Sequence, residues 1–275
     1  MENIFVVNMN SYHGFNVEQA LEGVAAAGFR YVELSAVRGW TEHVLSDMPD
    51  NRLNEIRQKM HDLGLVAIAL GGHCNLMEEE RLEDFKQNIE LASKFGCKYI
   101  ITSTGEAHFG KNETFADDVL AAHIKTLLPT LEQNNIIMAL EVHGEYGTGE
   151  SLCKIVQAVD SDYVGVNYDT ANVVFYGKQY PEEEIKTCAH GVKYVHLKDK
   201  AGAMDEWNFP AVGKGTLKLK EFMEYMDSVG YAGPYSIEIE YTEDFTMRDK
   251  RSEDLAVANK AVTDSYEYLK SIGRL

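Results

Sequence analysis

The chain of 275 residues carries 26 Lys plus Arg against 44 Asp plus Glu, a formal charge of −18. That excess repels phosphate backbones and anionic bilayer surfaces over a Debye length, which counts against nucleic acid and membranes as partners. No stretch approaches 18 uncharged apolar residues, and the four cysteines, Cys74, Cys97, Cys153 and Cys188, form neither a C-x-x-C pair nor a dense disulfide pattern.

The first residues, MENIFVVNMN, lack the basic region and long apolar run of a signal peptide, so a soluble, cytoplasmic protein is expected. Periodicity alternates between β-type and helical runs along the whole chain. A strand is expected at residues 4–9, then a helix behind Asn16 (VEQALEGVAAAG) and a strand at 31–34. Next come a helix capped by Asp50 (NRLNEIRQKMHDLG), a strand at 66–70, a helix from Glu79 to Phe95, and a strand at 99–102. Helices at 115–134, 149–159, 181–190, 217–229 and 252–272 separate further strands at 136–141, 163–168, 194–197 and 235–239. Gly28, Gly64 and Gly96 each stand where a left-handed residue ends a helix before a strand.

Eight strands starting at intervals of roughly 26 to 42 residues match the scale of βα units. No Pro-, Gly- or Ser-rich linker divides the chain, and NMNSYHG after the first strand is not the glycine-rich loop of a dinucleotide fold. The sequence therefore predicts an α/β protein, one (β/α)₈ TIM barrel domain over residues 1–275.

In such a barrel the carboxyl ends of the strands build the site. Polar residues fall there repeatedly: Asn8 and Asn10, Glu33, His73, Thr102 and Glu106, Glu141 and His143, Asp169 and Asn172, His196 and Lys198, Glu238. Four of them, Glu141, Asp169, His196 and Glu238, each end an otherwise apolar run. Three carboxylates and an imidazole converging at one end of a sheet would hold a divalent cation with positions open for substrate. Taken singly, a strand-terminal carboxylate is more often a solvated end or a helix cap; four in register change that reading.

The segments ALEVHG, VGVNYDTAN, YVHLKD and GYAGPYSIEIE, in this order and spacing, resemble the sugar phosphate isomerase/epimerase family of xylose isomerase-like TIM barrels, the superfamily of ketose 3-epimerases and apurinic endonucleases. The resemblance implies metal ligands at Glu141, Asp169, His196 and Glu238, with Glu141 and Glu238 also serving as the catalytic acid/base pair. Glu240, on the same face as Glu238, is an alternative ligand; Glu238 is the one that aligns with the family motif. The chain departs from the epimerases and endonucleases in reading D-T-A-N, with Asn172, where they read D-x-x-H. No basic residue follows the strand-seven histidine at Gly202 or Ala203, so a particular ketose is not specified.

A donor set of this kind suits Mn²⁺ first, then Mg²⁺ or Co²⁺, while Zn²⁺ more often recruits further His or Cys. The cation would polarise a sugar carbonyl so that a carboxylate can remove the neighbouring proton through an enediolate. Lys198 and His73 are expected to hold substrate oxygens, though His73 could equally be a structural histidine. His143 either contacts substrate or orients Glu141. Trp207 and Phe209 either cap the sugar or pack on the neighbouring subunit of a homo-oligomer. His61, His123 and His190 read as helix-surface residues. The expected function is a metal-dependent isomerase or epimerase of a small sugar, sugar phosphate or related ketone. The alternatives are a dehydratase of inosose or dehydroshikimate type and a non-catalytic sugar-binding barrel. A nuclease would need more ligands and a basic groove, which the charge argues against.

Overall fold

The computed structural model describes residues 4–105 and 116–275. Glu106 and the expected helix start at Phe115 lie outside the described residues. Runs rich in β-branched and aromatic residues form eight parallel strands: β1 (Phe5–Asn8), β2 (Tyr31–Val37), β3 (Val66–Gly71), β4 (Tyr99–Thr102), β5 (Ile137–Glu141), β6 (Val164–Asp169), β7 (Val192–Lys198) and β8 (Tyr235–Glu238). Each pairs with the next in sequence, and β1 pairs with both β2 and β8, so the sheet closes on itself. This is the expected TIM barrel, and closure removes the unpaired sheet edge that an open parallel sheet would leave.

Around it pack α1 (Val17–Ala26), α2 (Asp50–Asp62), α3 (Leu82–Lys94), α4 (Asp117–Asn134), α5 (Gly149–Val159), α6 (Leu219–Ser228) and α7 (Asp254–Ser271). Asn16 and Gln19 form a reciprocal capping box at the start of α1. The expected cap at Asp50 is corrected: Asp50 is the first helical residue and Pro49 precedes it, with no side-chain cap. Gly28, Gly64 and Gly96 take φ of +98°, +69° and +74°, the left-handed turn expected after α1, α2 and α3. The expected 181–190 helix is instead a single turn at Pro181–Glu184 followed by two 3₁₀ turns. No helix among the described residues is long and apolar enough to cross a membrane.

Outward strand residues such as Val32, Leu34, Val195 and Leu197 pack under the helices as one large core. Inward ones fill the barrel. Ala69, Ile101, Ala139 and Tyr194 make an apolar layer inside it, and the next inward positions toward the strand ends are Glu33, Glu141, Asp169, His196, Ser236 and Glu238. The period of two along each strand puts Ala139 and Glu141, or Tyr194, His196 and Lys198, on one face. The pairing β6–β7 sets Asp169 beside His196, and β7–β8 sets His196 beside Ser236. Side chains from distant segments are thus brought to one level by the register.

Candidate metal centre

Glu141, Asp169, His196 and Glu238 come together: one donor atom from each lies within 4.8 Å of every other, and all four residues are buried. His196 Nδ1 is 3.0 Å from Glu141 Oε1, 3.3 Å from Glu238 Oε2 and 3.9 Å from Asp169 Oδ2. Adjacent donors of a six-coordinate cation with bonds near 2.1 Å stand about 3.0 Å apart and opposite ones about 4.2 Å, so the set needs little adjustment to surround one ion.

Each donor is aimed by its neighbours. Asn8 Nδ2 and Asn10 Nδ2 both donate to Glu238 Oε1, at 3.0 and 3.2 Å, leaving Oε2 turned inward. Asp169 Oδ1 accepts the N–H groups of Ala171 and Asn172, each at 2.8 Å, at the start of the helical turn Asn172–Phe175. Its Oδ2 is buried without a hydrogen-bond partner. A carboxylate oxygen stranded in that way is costly unless a cation sits against it, which is the fit expected of a metal ligand.

The electrostatics follow from packing these charges in a barrel interior. Burial opposes the charged form of Glu141, yet the imidazoles of His196 and His73 hold its pKa down to about 2. Burial likewise opposes ionisation of Glu238, and Lys198 with His196 overrides it, to well below the carboxylate range. Asp169 is pushed up to about 8 by burial, against the pull of Lys198 and with the push of Glu238 and Glu141. A cation at the centre would relieve that crowding.

The chain matches the family described as xylose isomerase-like TIM barrel over residues 21–271. It belongs to that family. It is 30% identical over 154 residues to a 3-oxo-isoapionate decarboxylase of Pectobacterium atrosepticum, covering 56% of this chain and 52% of the relative. It is 25% identical over 198 residues to an inosose dehydratase of Geobacillus thermodenitrificans, covering 59% and 64% respectively. The match thus spans about half the length of the first relative and less than two thirds of the second. A D-psicose 3-epimerase from Clostridium cellulolyticum H10, solved with D-tagatose, shares the fold with a TM-score of 0.77 at 15% identity, covering 99% of both chains.

In this xylose isomerase-like barrel His73, His143 and Lys198 line the cavity over the four donors, together with Asn10, Trp40 and Tyr176. His73 Nδ1 accepts Ser103 N–H at 3.1 Å, so its hydrogen sits on Nε2, 3.5 Å from Glu141 Oε2. His143 Nε2 is 3.1 Å from the Tyr176 hydroxyl. Lys198 is buried among carboxylates: Nζ is bonded to Glu240 and lies 3.3 Å from Glu238 and 3.7 Å from Asp169. Glu240 is held by Lys198 and Asn10 outside the group of four donors.

Trp207 is not among the residues lining the cavity. Its ring packs edge-on against Phe175 and Phe209, behind Lys198, whose ammonium lies 4.6 Å from the Phe209 ring. The aromatic wall comes from Trp40, stacked on His13 at 4.0 Å with Nε1 donating to Asn10 Oδ1. It lies just past β2, and nothing in AVRGWTE signals that role. Asn172 spans the site: its Nδ2 is 3.5 Å from Glu141 Oε1 and its Oδ1 accepts from Lys198 at 3.4 Å. His123, expected on a helix surface, is half-buried and bonded to the Leu76 carbonyl.

Proposed function

We propose that this protein is a divalent-cation-dependent isomerase or epimerase of a small sugar or sugar-derived ketone. The observation that carries the reading is the buried Asp169 Oδ2, which has no hydrogen bond, beside three further donors. Glu141, Asp169, His196 and Glu238 would hold the ion, and three carboxylates with one imidazole favour Mn²⁺, Mg²⁺ or Co²⁺. When bound, the cation would polarise the substrate carbonyl and make the adjacent C–H acidic.

The remaining chemistry falls to the protein. Glu238, held in place by Asn8 and Asn10, would be the carboxylate base that takes the proton. Glu141 enters from β5, backed by the Nε2–H of His73, and is suited to return a proton. Return to the opposite face of the same carbon inverts it; return to the neighbouring carbon gives the aldose or ketose isomer. Lys198, His143 and Trp40 would position hydroxyls and exclude water.

A second reading, a dehydratase, is favoured by the similarity to inosose dehydratases. The same proton abstraction would be followed by loss of a β-hydroxyl, with His73 Nε2–H as the proton donor to the departing oxygen. Purified protein loaded with Mn²⁺ is incubated in D₂O with ketoses, inososes, sugar acids and their phosphates. Deuterium entering one carbon next to the carbonyl, with no change of formula, supports the isomerase. A product lighter by one water supports the dehydratase, and release of CO₂ a decarboxylase. Tight binding with no exchange anywhere in the panel would mean a sugar-binding barrel.

A further inference from the structure

We infer that Glu33, steadied by Ser236, is a positioning residue that fixes His196 with its hydrogen on Nε2, so that the Nδ1 lone pair faces the three carboxylates. The inference rests on reading Glu141, Asp169, His196 and Glu238 as a cation site. It concerns a residue outside that set, on a strand that contributes no ligand.

Both oxygens of Glu33 lie 3.1 Å from His196 Nε2, and Ser236 Oγ donates to Glu33 Oε2 at 2.8 Å. Glu33, His196 and Ser236 are each 0% exposed. A carboxylate only accepts, so the ring nitrogen that faces it must carry hydrogen. Nδ1 faces carboxylates as well, Glu141 at 3.0 Å and Glu238 at 3.3 Å, so a cation binding there would displace the hydrogen on Nδ1 and leave the ring neutral with its remaining hydrogen on Nε2 against Glu33. Asn8 Nδ2 lies farther from Nε2, at 3.5 Å, and makes its shorter bond to Glu238 Oε1 at 3.0 Å, whereas both Glu33 oxygens stand at 3.1 Å.

The fold makes room for this arrangement. The β2–β3 register slips by one residue between Val32 and Glu33, so that Ala69 rather than Ile68 stands opposite Glu33. Gly71 completes the space, since a Cβ there would lie 3.2 Å from Glu33 Oε1. Glu33 is not a fifth ligand in this geometry: its oxygens sit against the far nitrogen of the imidazole, on the opposite edge from Nδ1. Partners that orient a metal-binding histidine in this way change cation affinity by about 10- to 100-fold when removed.

The test compares full-length wild type, Glu33→Ala, Glu33→Gln and Ser236→Ala. Affinity is read by competition of Mn²⁺ with a fluorescent chelator, and the hydrogen position on His196 by long-range ¹H–¹⁵N spectra of the Mg²⁺-loaded protein. Glu33→Ala should weaken binding by about 10- to 100-fold and blur the single His196 tautomer. Glu33→Gln keeps an acceptor oxygen and should stay within about threefold of wild type with Nε2 protonated, while Ser236→Ala falls between. If Glu33→Ala is poorly folded, Glu33→Gln and Ser236→Ala decide the matter. Wild-type affinity and tautomer in Glu33→Ala would overturn the inference, as would Glu33→Gln failing as badly as Glu33→Ala, because charge rather than orientation would then matter. Either result leaves the four-ligand reading standing. A wild-type protein that binds no divalent ion overturns that reading itself.

Discussion

Asp169 holds its two oxygens in opposite situations. Oδ1 takes two backbone N–H groups, and Oδ2 faces Glu141, Glu238 and His196 with no hydrogen bond. Asp169→Asn keeps the first role and puts an amide N–H where the second oxygen stood, able to donate to the neighbouring carboxylates. Without a cation the variant should therefore be more stable than wild type above about pH 8, where Asp169 is ionised beside Glu141 and Glu238, by ~1 kcal/mol or more, since a crowded buried charge is replaced by a donor. In wild type, Mn²⁺ at 100 times its Kd should stabilise by about 2.7 kcal/mol, roughly 5–10 °C in Tm for a domain of this size. Asp169→Asn should lose that rise, as thermal melts with and without Mn²⁺ will report. An unchanged rise would mean that Asp169 does not touch the ion. Asp169, Glu141, His196 and Glu238 could be read from sequence because each interrupts an apolar strand at a position of inward parity. Glu33 has the same parity, but its aim at His196 Nε2 depends on the register slip against β3, which no local pattern announces. Trp40 was hidden for a related reason, since it reaches the cavity from the turn after β2 through a bond to Asn10.

Between β7 and α6 the chain runs through residues 199–218, anchored by one side chain. Asp199, directly after β7, accepts N–H groups of Lys200 and Leu217 on Oδ1, at 2.8 and 3.2 Å, and of Gly213 and Gly215 on Oδ2, both at 2.9 Å. A Cβ at Gly215 would fall 2.2 Å from Asp199 Oδ1, so the carboxylate seats directly on the backbone. This loop carries Trp207 and Phe209, which back Lys198. Asp199→Ala strips partners from four N–H groups and should cost on the order of 3 kcal/mol or more in urea unfolding, with new proteolytic cuts within 201–216. Asp199→Asn, with one acceptor oxygen left, should lose about half as much; equal losses would sink this account of the loop. At the scale of elements the sequence was a good guide wherever local chemistry sets the boundary, as at Asn16 and at Gly28, Gly64 and Gly96. It failed where distant packing decides. The 181–190 stretch breaks because Cys188 must turn back against Gly149, where even a Cβ would lie 2.2 Å from its sulfur. The two-residue ribbon joining Asn208–Phe209 to Tyr241–Thr242 pairs segments too short and too far apart for any periodic signal.

Across the whole molecule, acid should act first through buried histidines. Burial pushes the pKa of His13, His43 and His143 down to about 4, with Lys250 and His43 adding to the effect at His13. His43 is the cleanest probe, since its Nε2 bonds the Phe15 carbonyl at 3.0 Å, outside the group of four donors. The sign follows from proton binding. Below about pH 6.5 the unfolded chain protonates His43 while the folded chain does not, so stability is full above that pH and falls as pH drops toward 4. A pKa difference of this size amounts to on the order of 3 kcal/mol by pH 4. Asp254, held well below the carboxylate range by hydrogen bonds from Arg248, does not contribute in this window: its stabilisation is present above the unfolded pKa near 3.9 and is lost only below it. Asp169, raised by burial, works in the opposite direction, with stability gained as pH falls through about 8, and it does so equally in wild type and in a His43 variant. His43→Gln keeps an N–H for Phe15 and cannot take a proton. Urea unfolding of the two proteins should give parallel stability curves above pH 7 and curves that converge or cross as pH falls from 6.5 to 4, with wild type losing on the order of 3 kcal/mol more. Curves that stay parallel to pH 4 would show that His43 takes its proton as readily in the folded barrel as in the open chain, and that burial there carries no such penalty.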